Sequence, residues 1–181
     1  MSDGVGVACR ESRVGAFLNL RGDAADPGFR NVAASVTGVE LPVEPCTWRR
    51  HAGHAAAYWL GPDEWLLAMQ NGVGVDLESR LRDVLDPRCS VVDVSGAHVQ
   101  VELSGEDAGK VLQKSSPYDF DPRNFGVGRC VQTVFAKATA LVAAREADAF
   151  DIVFRRSYAD YLLRWLEDAA AEYNASDGRS P

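Results

Sequence analysis

A chain of 181 residues can bury one substantial core and is too short for two independent catalytic domains. It is 46% hydrophobic and 25% charged, the composition of a globular protein. With 19 Lys and Arg against 26 acids, a net charge of -7, it has no evident basic face to neutralise the phosphates of a nucleic acid.

The opening MSDGVGVACRESRVG has no basic segment followed by an apolar one, so residues 1–13 are expected to form a flexible N-terminus rather than a signal peptide. No apolar run approaches the roughly 20 residues that cross a bilayer, so no membrane partner is expected. Cys9, Cys46, Cys89 and Cys130 are scattered without a C-x-x-C pair. That pattern reads as four reduced thiols in a cytoplasmic chain.

Val14 to Leu20 alternates as a strand does, and Arg21-Gly22-Asp23 ends it. In DPGFRNVAASVTG, Asp26 is placed to cap a helix, Pro27 suits its first position and Gly38 its stop. Phe29, Val32, Ala33 and Val36 then share one face. LPVEPCTWRRHAGH holds two prolines and no period, and reads as a loop. Two apolar runs, Ala55 to Leu60 and Glu64 to Gln70, flank Gly61-Pro62-Asp63, which predicts a hairpin. Leu77, Leu81, Val84 and Leu85 give an amphipathic helix over 76–85.

The second half follows the same plan. CSVVDVSGAHVQVELSG predicts two strands turning about Ser95-Gly96, and EDAGKVLQKS a short helix before Pro117. Three apolar runs follow, near Val131 to Ala136, Thr139 to Ala144 and Phe150 to Phe154. A long closing helix starts near Ser157 and Asp160, with Tyr158, Leu162, Trp165, Leu166 and Ala169 as its apolar stripe. The expected class is α+β, with duplicated β-α-β-β-α units in one domain over 14–173 and a disordered tail over 174–181.

Several constellations invite a chemical reading. Asp63 and Glu64, between Trp59 and Trp65, resemble an acid/base pair. Turn chemistry accounts for them better, because adjacent residues diverge once a strand resumes. Cys46, His51 and His54 match no common zinc spacing. Asp93, Ser95 and His98 lie too close in sequence to make a working triad. Gly72-Val73-Gly74 and Gly126-Val127-Gly128-Arg129 lack the third glycine of a dinucleotide fingerprint. Tyr158, Tyr161 and Trp165 could stack on a flat cofactor, but helical spacing favours a core stripe. No constellation makes a convincing stand-alone enzyme.

Four blocks carry a resemblance: WLGPDEWLL from Trp59, VVDVSGAHVQVELSG from Val91, VLQKSSPYDFDPRNFGVGRCVQTVFAKATALV from Val111, and FDIVFRRSYADYLLRWLEDAA from Phe150. Over about Gly15 to Ala171 the chain resembles the gamma subunits of heterotetrameric sarcosine oxidase. Pro117, Asp119, Pro122, Phe125, Gly128 and Thr133 match the family pattern, as do Arg156, Ser157 and Tyr161. His98 departs from it, standing where an arginine or other polar residue is common.

The resemblance implies a folate-binding-domain-like fold, related to the aminomethyltransferase of the glycine cleavage system. It implies partners, the alpha, beta and delta subunits, that oxidise the N-methyl group of sarcosine and pass electrons to oxygen. Hydrogen peroxide forms, and the one-carbon unit goes to tetrahydrofolate. FAD, FMN, NAD, tetrahydrofolate and zinc would belong to the other subunits, leaving this chain no catalytic, cofactor-binding or metal residue of its own. Trp48, Phe120 and Phe125, bulky groups in loops 41–53 and 117–128, are then expected to contact partners. A free-standing folate-binding module and a subunit for another N-methylated amino acid are the competing readings. A true aminomethyltransferase would require a further C-terminal domain.

Overall fold

A computed structural model describes residues 6–12, 14–51, 55–70 and 76–174. They group into two compact units. The N-terminal unit runs to His98 and includes Gly128–Val131, and the C-terminal unit comprises the chain up to Ser12, Val99–Val127 and everything from Gln132 onward.

The N-terminal unit carries β2 (Val14–Arg21), α1 (Pro27–Thr37), β3 (Trp48–His51), β4 (Ala55–Gly61), β5 (Glu64–Gln70), α2 (Leu77–Val84) and β6 (Ser90–Asp93). Its sheet runs β3-β4-β5-β2-β6. Helix α1 forms where its caps are written. Asp26 accepts a 2.8 Å hydrogen bond from the Gly28 amide, and Gly38 takes the left-handed conformation at φ 76°. Phe29 and Ala33 bury against Leu20, Trp65 and Leu67 of the sheet. Asp26→Ala should cost about 1 kcal/mol, read from a urea titration, and an unchanged midpoint would show the cap to be idle.

The C-terminal unit carries β1 (Ala8–Glu11), all but the first residue of β7 (His98–Ser104), α3 (Ala108–Ser115), β8 (Cys130–Phe135) from Gln132 on, β9 (Ala138–Glu146), β10 (Ala149–Arg155) and α4 (Ala159–Asn174). Its sheet runs β1-β7-β10-β9-β8. Val101 and Leu103 of β7, Ile152 and Phe154 of β10, and Leu162 and Leu166 of α4 are fully buried or nearly so.

The expected duplication is present with one strand more in each copy. β2-α1-β3-β4-β5-α2 and β7-α3-β8-β9-β10-α4 are the same succession, and their strands take the same lateral order. The extra strand of the first copy is Trp48–His51, which the sequence reads as loop. Its prolines, Pro42 and Pro45, both precede the strand, and pairing with β4 from Trp48↔Tyr58 to His51↔Ala55 makes it one.

Two more expectations are corrected. Residues 1–13 contain β1, antiparallel to β7 from Ala8↔Ser104 to Glu11↔Val101. The Asn174 side chain adds two 2.9 Å hydrogen bonds to the backbone of Val7. The two strands around Ser95-Gly96 make no hairpin: β6 pairs with β2 and β7 with β1, in different sheets. A short 3-10 turn, Ser95–Ala97, separates them. Tail residues 175–181 lie outside the described residues.

Candidate functional site

The Gly61–Glu64 hairpin forms as expected, with Gly61 opposite Glu64 and Pro62-Asp63 between them. Its carboxylates do not converge. Asp63 is exposed, while Glu64 accepts hydrogen bonds from Asn19 at 2.7 Å and Arg21 at 2.6 Å. Trp65 is fully buried and donates its indole N–H to the Pro42 carbonyl at 2.7 Å. Its ring lies 5.7 Å from that of Phe29, and it stands opposite Trp59 in the ladder. The tip is a packed turn whose charges are engaged in structure.

Beside it the N-terminal unit has a cleft of about 750 Å³, walled by Phe29 and Val32 of α1 and by Val84, Leu85, Arg88 and Cys89. Asp23, Asp26, Asp63 and Asp86 give it an acidic rim, with Arg21 and Arg88 among them. Most of these charges already have local work. Arg88 pairs with Asp86 at 3.0 Å, Arg21 with Glu64, Asp26 caps α1, and Asp23 accepts from the Ala25 amide. Among the described residues that line it, none is a nucleophile hydrogen-bonded to an oriented base.

The Asp93–Ser95–His98 group is likewise structural. The Ser95 hydroxyl donates to Asp93 at 2.5 Å and accepts from the Phe17 amide at 2.9 Å, tying the 3-10 turn to β2. Hydrogen bonds from the Ser95 hydroxyl and from its amide, the latter at 2.8 Å, hold the Asp93 carboxyl below its usual range. His98 turns its Nδ1 to the Val94 carbonyl at 3.2 Å and its ring to Phe17 at 5.6 Å.

Of Cys46, His51 and His54, the last lies outside the described residues, as do Gly72, Val73 and Gly74. Among the described residues no group of three His, Cys, Asp or Glu could hold a metal ion. Gly128 bends the second glycine motif at φ 87°, and its carbonyl accepts from the Trp48 amide.

Cys46 accepts a 2.9 Å backbone hydrogen bond from Cys130, whose thiol donates to the Thr47 carbonyl at 3.1 Å. Burial pushes the Cys130 thiol up to about 12, and burial with Glu167 nearby pushes Cys9 to about 11. At pH 8 the folded chain should therefore leave Cys130 and Cys9 unalkylated by iodoacetamide until denatured. Labelling of native Cys130 as fast as Cys46 would refute this. An unfolded thiol ionises near its ordinary value of 9.0 while folded Cys130 stays protonated to about 12. Stability should thus fall as pH rises across that interval.

The rings expected at partner contacts lie inside the chain's own packing. Trp48 is 5%, Phe120 2% and Phe125 3% exposed. Trp48 stacks on Tyr58, and Phe120, Phe125 and Tyr118 form an aromatic cluster with centroids 5.0–5.7 Å apart. Among the described residues, the large hydrophobic side chains that these loops expose are Val43 at 54% and Val127 at 65%. The α4 stripe is also corrected: Leu162, Leu166 and Ala169 are buried, but Tyr158 and Tyr161 are exposed. Trp165 is half-buried and donates to the Ser115 hydroxyl at 3.0 Å.

Sequence reasoning missed one polar cluster in the C-terminal unit. Arg145 of β9 reaches Glu102 of β7 at 3.1 Å and Asp151 of β10 at 3.5 Å, while Arg10 of β1 holds Glu102 at 2.7 Å. Burial would raise Glu102, but hydrogen bonds from Arg10 and Arg145 outweigh it and hold the carboxyl below its usual range. The signal in the sequence was Asp151 inside the apolar run Ala149 to Phe154, since a buried charge needs a partner.

A family model described as "Sarcosine oxidase, gamma subunit family" matches residues 21–172. The sarcosine oxidase subunit gamma of Corynebacterium sp. strain U-96 is 32% identical over 171 residues, 94% of this chain and 82% of the relative. That of Arthrobacter sp is 33% identical over 160 residues, 87% of this chain and 78% of the relative. A chain of the heterotetrameric sarcosine oxidase from Corynebacterium sp. U-96, solved with pyrrole 2-carboxylate, superposes at TM-score 0.85 and 31% identity. The match covers 96% of this chain and 88% of that one. Aminomethyltransferase T of the glycine cleavage system from Bartonella henselae superposes at TM-score 0.64 and 12% identity, over 91% of this chain and 46% of that one. That likeness is one of fold, and it bears out the α+β, aminomethyltransferase-like class expected from the sequence.

Proposed function

The chain belongs to the sarcosine oxidase gamma subunit family, and on that premise we propose that it is the non-catalytic gamma subunit of a cytoplasmic, flavin-dependent heterotetramer. The assembled enzyme converts sarcosine, oxygen and tetrahydrofolate to glycine, hydrogen peroxide and 5,10-methylenetetrahydrofolate. FAD, FMN, NAD, tetrahydrofolate and zinc are held by the alpha, beta and delta subunits, and this chain supports assembly and stability. The observation that carries the reading is the superposition on a chain of a heterotetrameric sarcosine oxidase over 96% of this chain at 31% identity. The fixed roles of Glu64, Asp93 and Ser95 agree with it, because each is bound into local structure.

On this reading the loops 41–53 and 117–128 touch neighbouring subunits through exposed groups such as Val43 and Val127. Native mass spectrometry of the protein drawn from its own cells, with an absorbance spectrum, tests the assignment. A four-subunit particle with flavin absorbance is expected. A lone 19.6 kDa species without flavin would overturn it.

A further inference from the structure

The sheet of the N-terminal unit runs β3-β4-β5-β2-β6, so β3 stands at its edge. Its four residues are Trp48, Arg49, Arg50 and His51, and all but the tryptophan are exposed. Across the ladder Arg49 stands opposite Ala57, Arg50 opposite Ala56 and His51 opposite Ala55, so each basic side chain faces an alanine. The pairing also fixes the backbone. The Trp59 amide donates to the Thr47 carbonyl at 3.1 Å, and antiparallel bonding alternates, so Arg49 and His51 turn their polar groups to β4 while Arg50 turns its own outward. The start of the outer side is taken, because Thr47 bridges to Arg129 and the Trp48 amide donates to the Gly128 carbonyl at 3.0 Å. Beyond it, the Arg50 amide and carbonyl have no backbone partner among the described residues.

This edge is cationic, and its neighbours bring no carboxylate to offset it. Residues 45–62 hold Arg49, Arg50, His51 and His54 and no Asp or Glu, in a chain of net charge -7. Neither segment beside β3 has an acid: not β4 on one side, nor Gly128–Val131 on the other. Helix α1 has none either. Glu44, the acid that precedes the strand in sequence, is held by Arg129 at 3.2 Å, and Glu40 before it pairs with neither arginine of β3. Asp63 and Glu64 lie at the hairpin tip, roughly 16 Å along β4 from Ala56, and Glu64 is held by Arg21. Arg49 and Arg50 make no ion pair among the described residues.

We propose that the outer edge of β3 is a docking site for an extended acidic segment of a partner subunit, which adds as a short strand beside Arg50 and sets carboxylates against Arg49 and Arg50. This rests on the chain being a subunit of a larger enzyme. Two observations select the occupant. The outward amide and carbonyl of Arg50 are what an added strand pairs with, and successive side chains of that strand reach both faces of the sheet, as Arg49 and Arg50 do. The guanidinium groups take carboxylates and repel a basic segment. Arginines kept only to guard an edge against self-association would do so by charge of either sign, whereas docking depends on the sign.

The test uses the complex co-expressed with its own partner subunits and purified through one of them. Arg49→Glu/Arg50→Glu should weaken retention of this chain about 100-fold, and the neutral Arg49→Gln/Arg50→Gln about 10-fold with a shallower dependence on salt than wild type. Each variant alone should melt with wild type, because both side chains are exposed, and that match assigns the loss to docking. Hydrogen exchange on the unaltered complex gives a reading that needs no variant: the Arg50 amide should exchange at least about 10-fold more slowly in the assembly than in the free chain. Full retention of the Glu variant, or an Arg50 amide that exchanges equally fast in both states, overturns the proposal while leaving the subunit reading in place. Failure of the wild-type chain to assemble overturns the subunit reading and this site with it, so the two failures are told apart. Binding to anionic vesicles in place of the partner subunits would also overturn it.

Discussion

Replacing Arg145 with methionine is expected to destabilise the C-terminal unit by about 3–5 kcal/mol, measured by urea unfolding. The guanidinium lies between Glu102 and Asp151, with side-chain exposures of 16%, 17% and 7% respectively. Removing it leaves two carboxylates facing each other in a place water reaches poorly. Arg10 remains on Glu102, but it is 75% exposed and cannot serve Asp151 equally. The Nε of Arg145 is buried without a hydrogen-bond partner among the described residues, so the cluster is not fully satisfied even in the native chain. Replacing all three side chains by apolar ones of similar volume, as in Glu102→Leu/Arg145→Met/Asp151→Leu, should therefore recover more than half of the loss. A single variant within about 0.5 kcal/mol of wild type would show the cluster to be energetically idle. The sign with pH is fixed by Glu102. Its folded carboxyl is held below the ordinary 4.5, so its contribution is complete above that value and is lost as pH falls through the folded one.

The elements legible in the sequence are those whose instructions are local. Asp26, Pro27 and Gly38 write the bounds of α1 within twelve positions, and Pro62-Asp63 writes the hairpin tip in two. Strands defined by distant pairing were not legible. Ala8–Glu11 and Trp48–His51 are short, mostly exposed edge segments, and only their partners make them strands. The Val91–Gly105 stretch has the letters of a hairpin, yet its two halves go to different sheets. What decides this is the Ser95 hydroxyl bound to Phe17, far away in sequence. The buried cluster was hidden for the same reason, since Glu102, Arg145 and Asp151 come from three strands. Tyr158, just before α4, and Tyr161 within it fall outside the buried stripe because helical spacing places them beside that face, and spacing alone does not say where the face ends.

Phe125→Asp is expected to abolish folding of the C-terminal unit, while Val127→Asp, two positions on, leaves it intact. Phe125 is 3% exposed, with its ring 5.0 Å from Phe120 and 5.7 Å from Tyr118. Deleting such a ring costs about 3–5 kcal/mol, and an unpartnered buried carboxylate adds several more. Against a total stability of roughly 5–15 kcal/mol the sum is ruinous, so little soluble protein should be recovered. Val127 is 65% exposed, and a surface change there should move stability by no more than about 0.5 kcal/mol. The pair therefore separates two meanings of an apolar residue in the 117–128 loop. Thermal melting of each variant reads the fold, and copurification with the partner subunits reads the contact. A well-folded Phe125→Asp chain would remove this ring from the core, and a folded Val127→Asp chain retained at full stoichiometry would remove its loop from the interface.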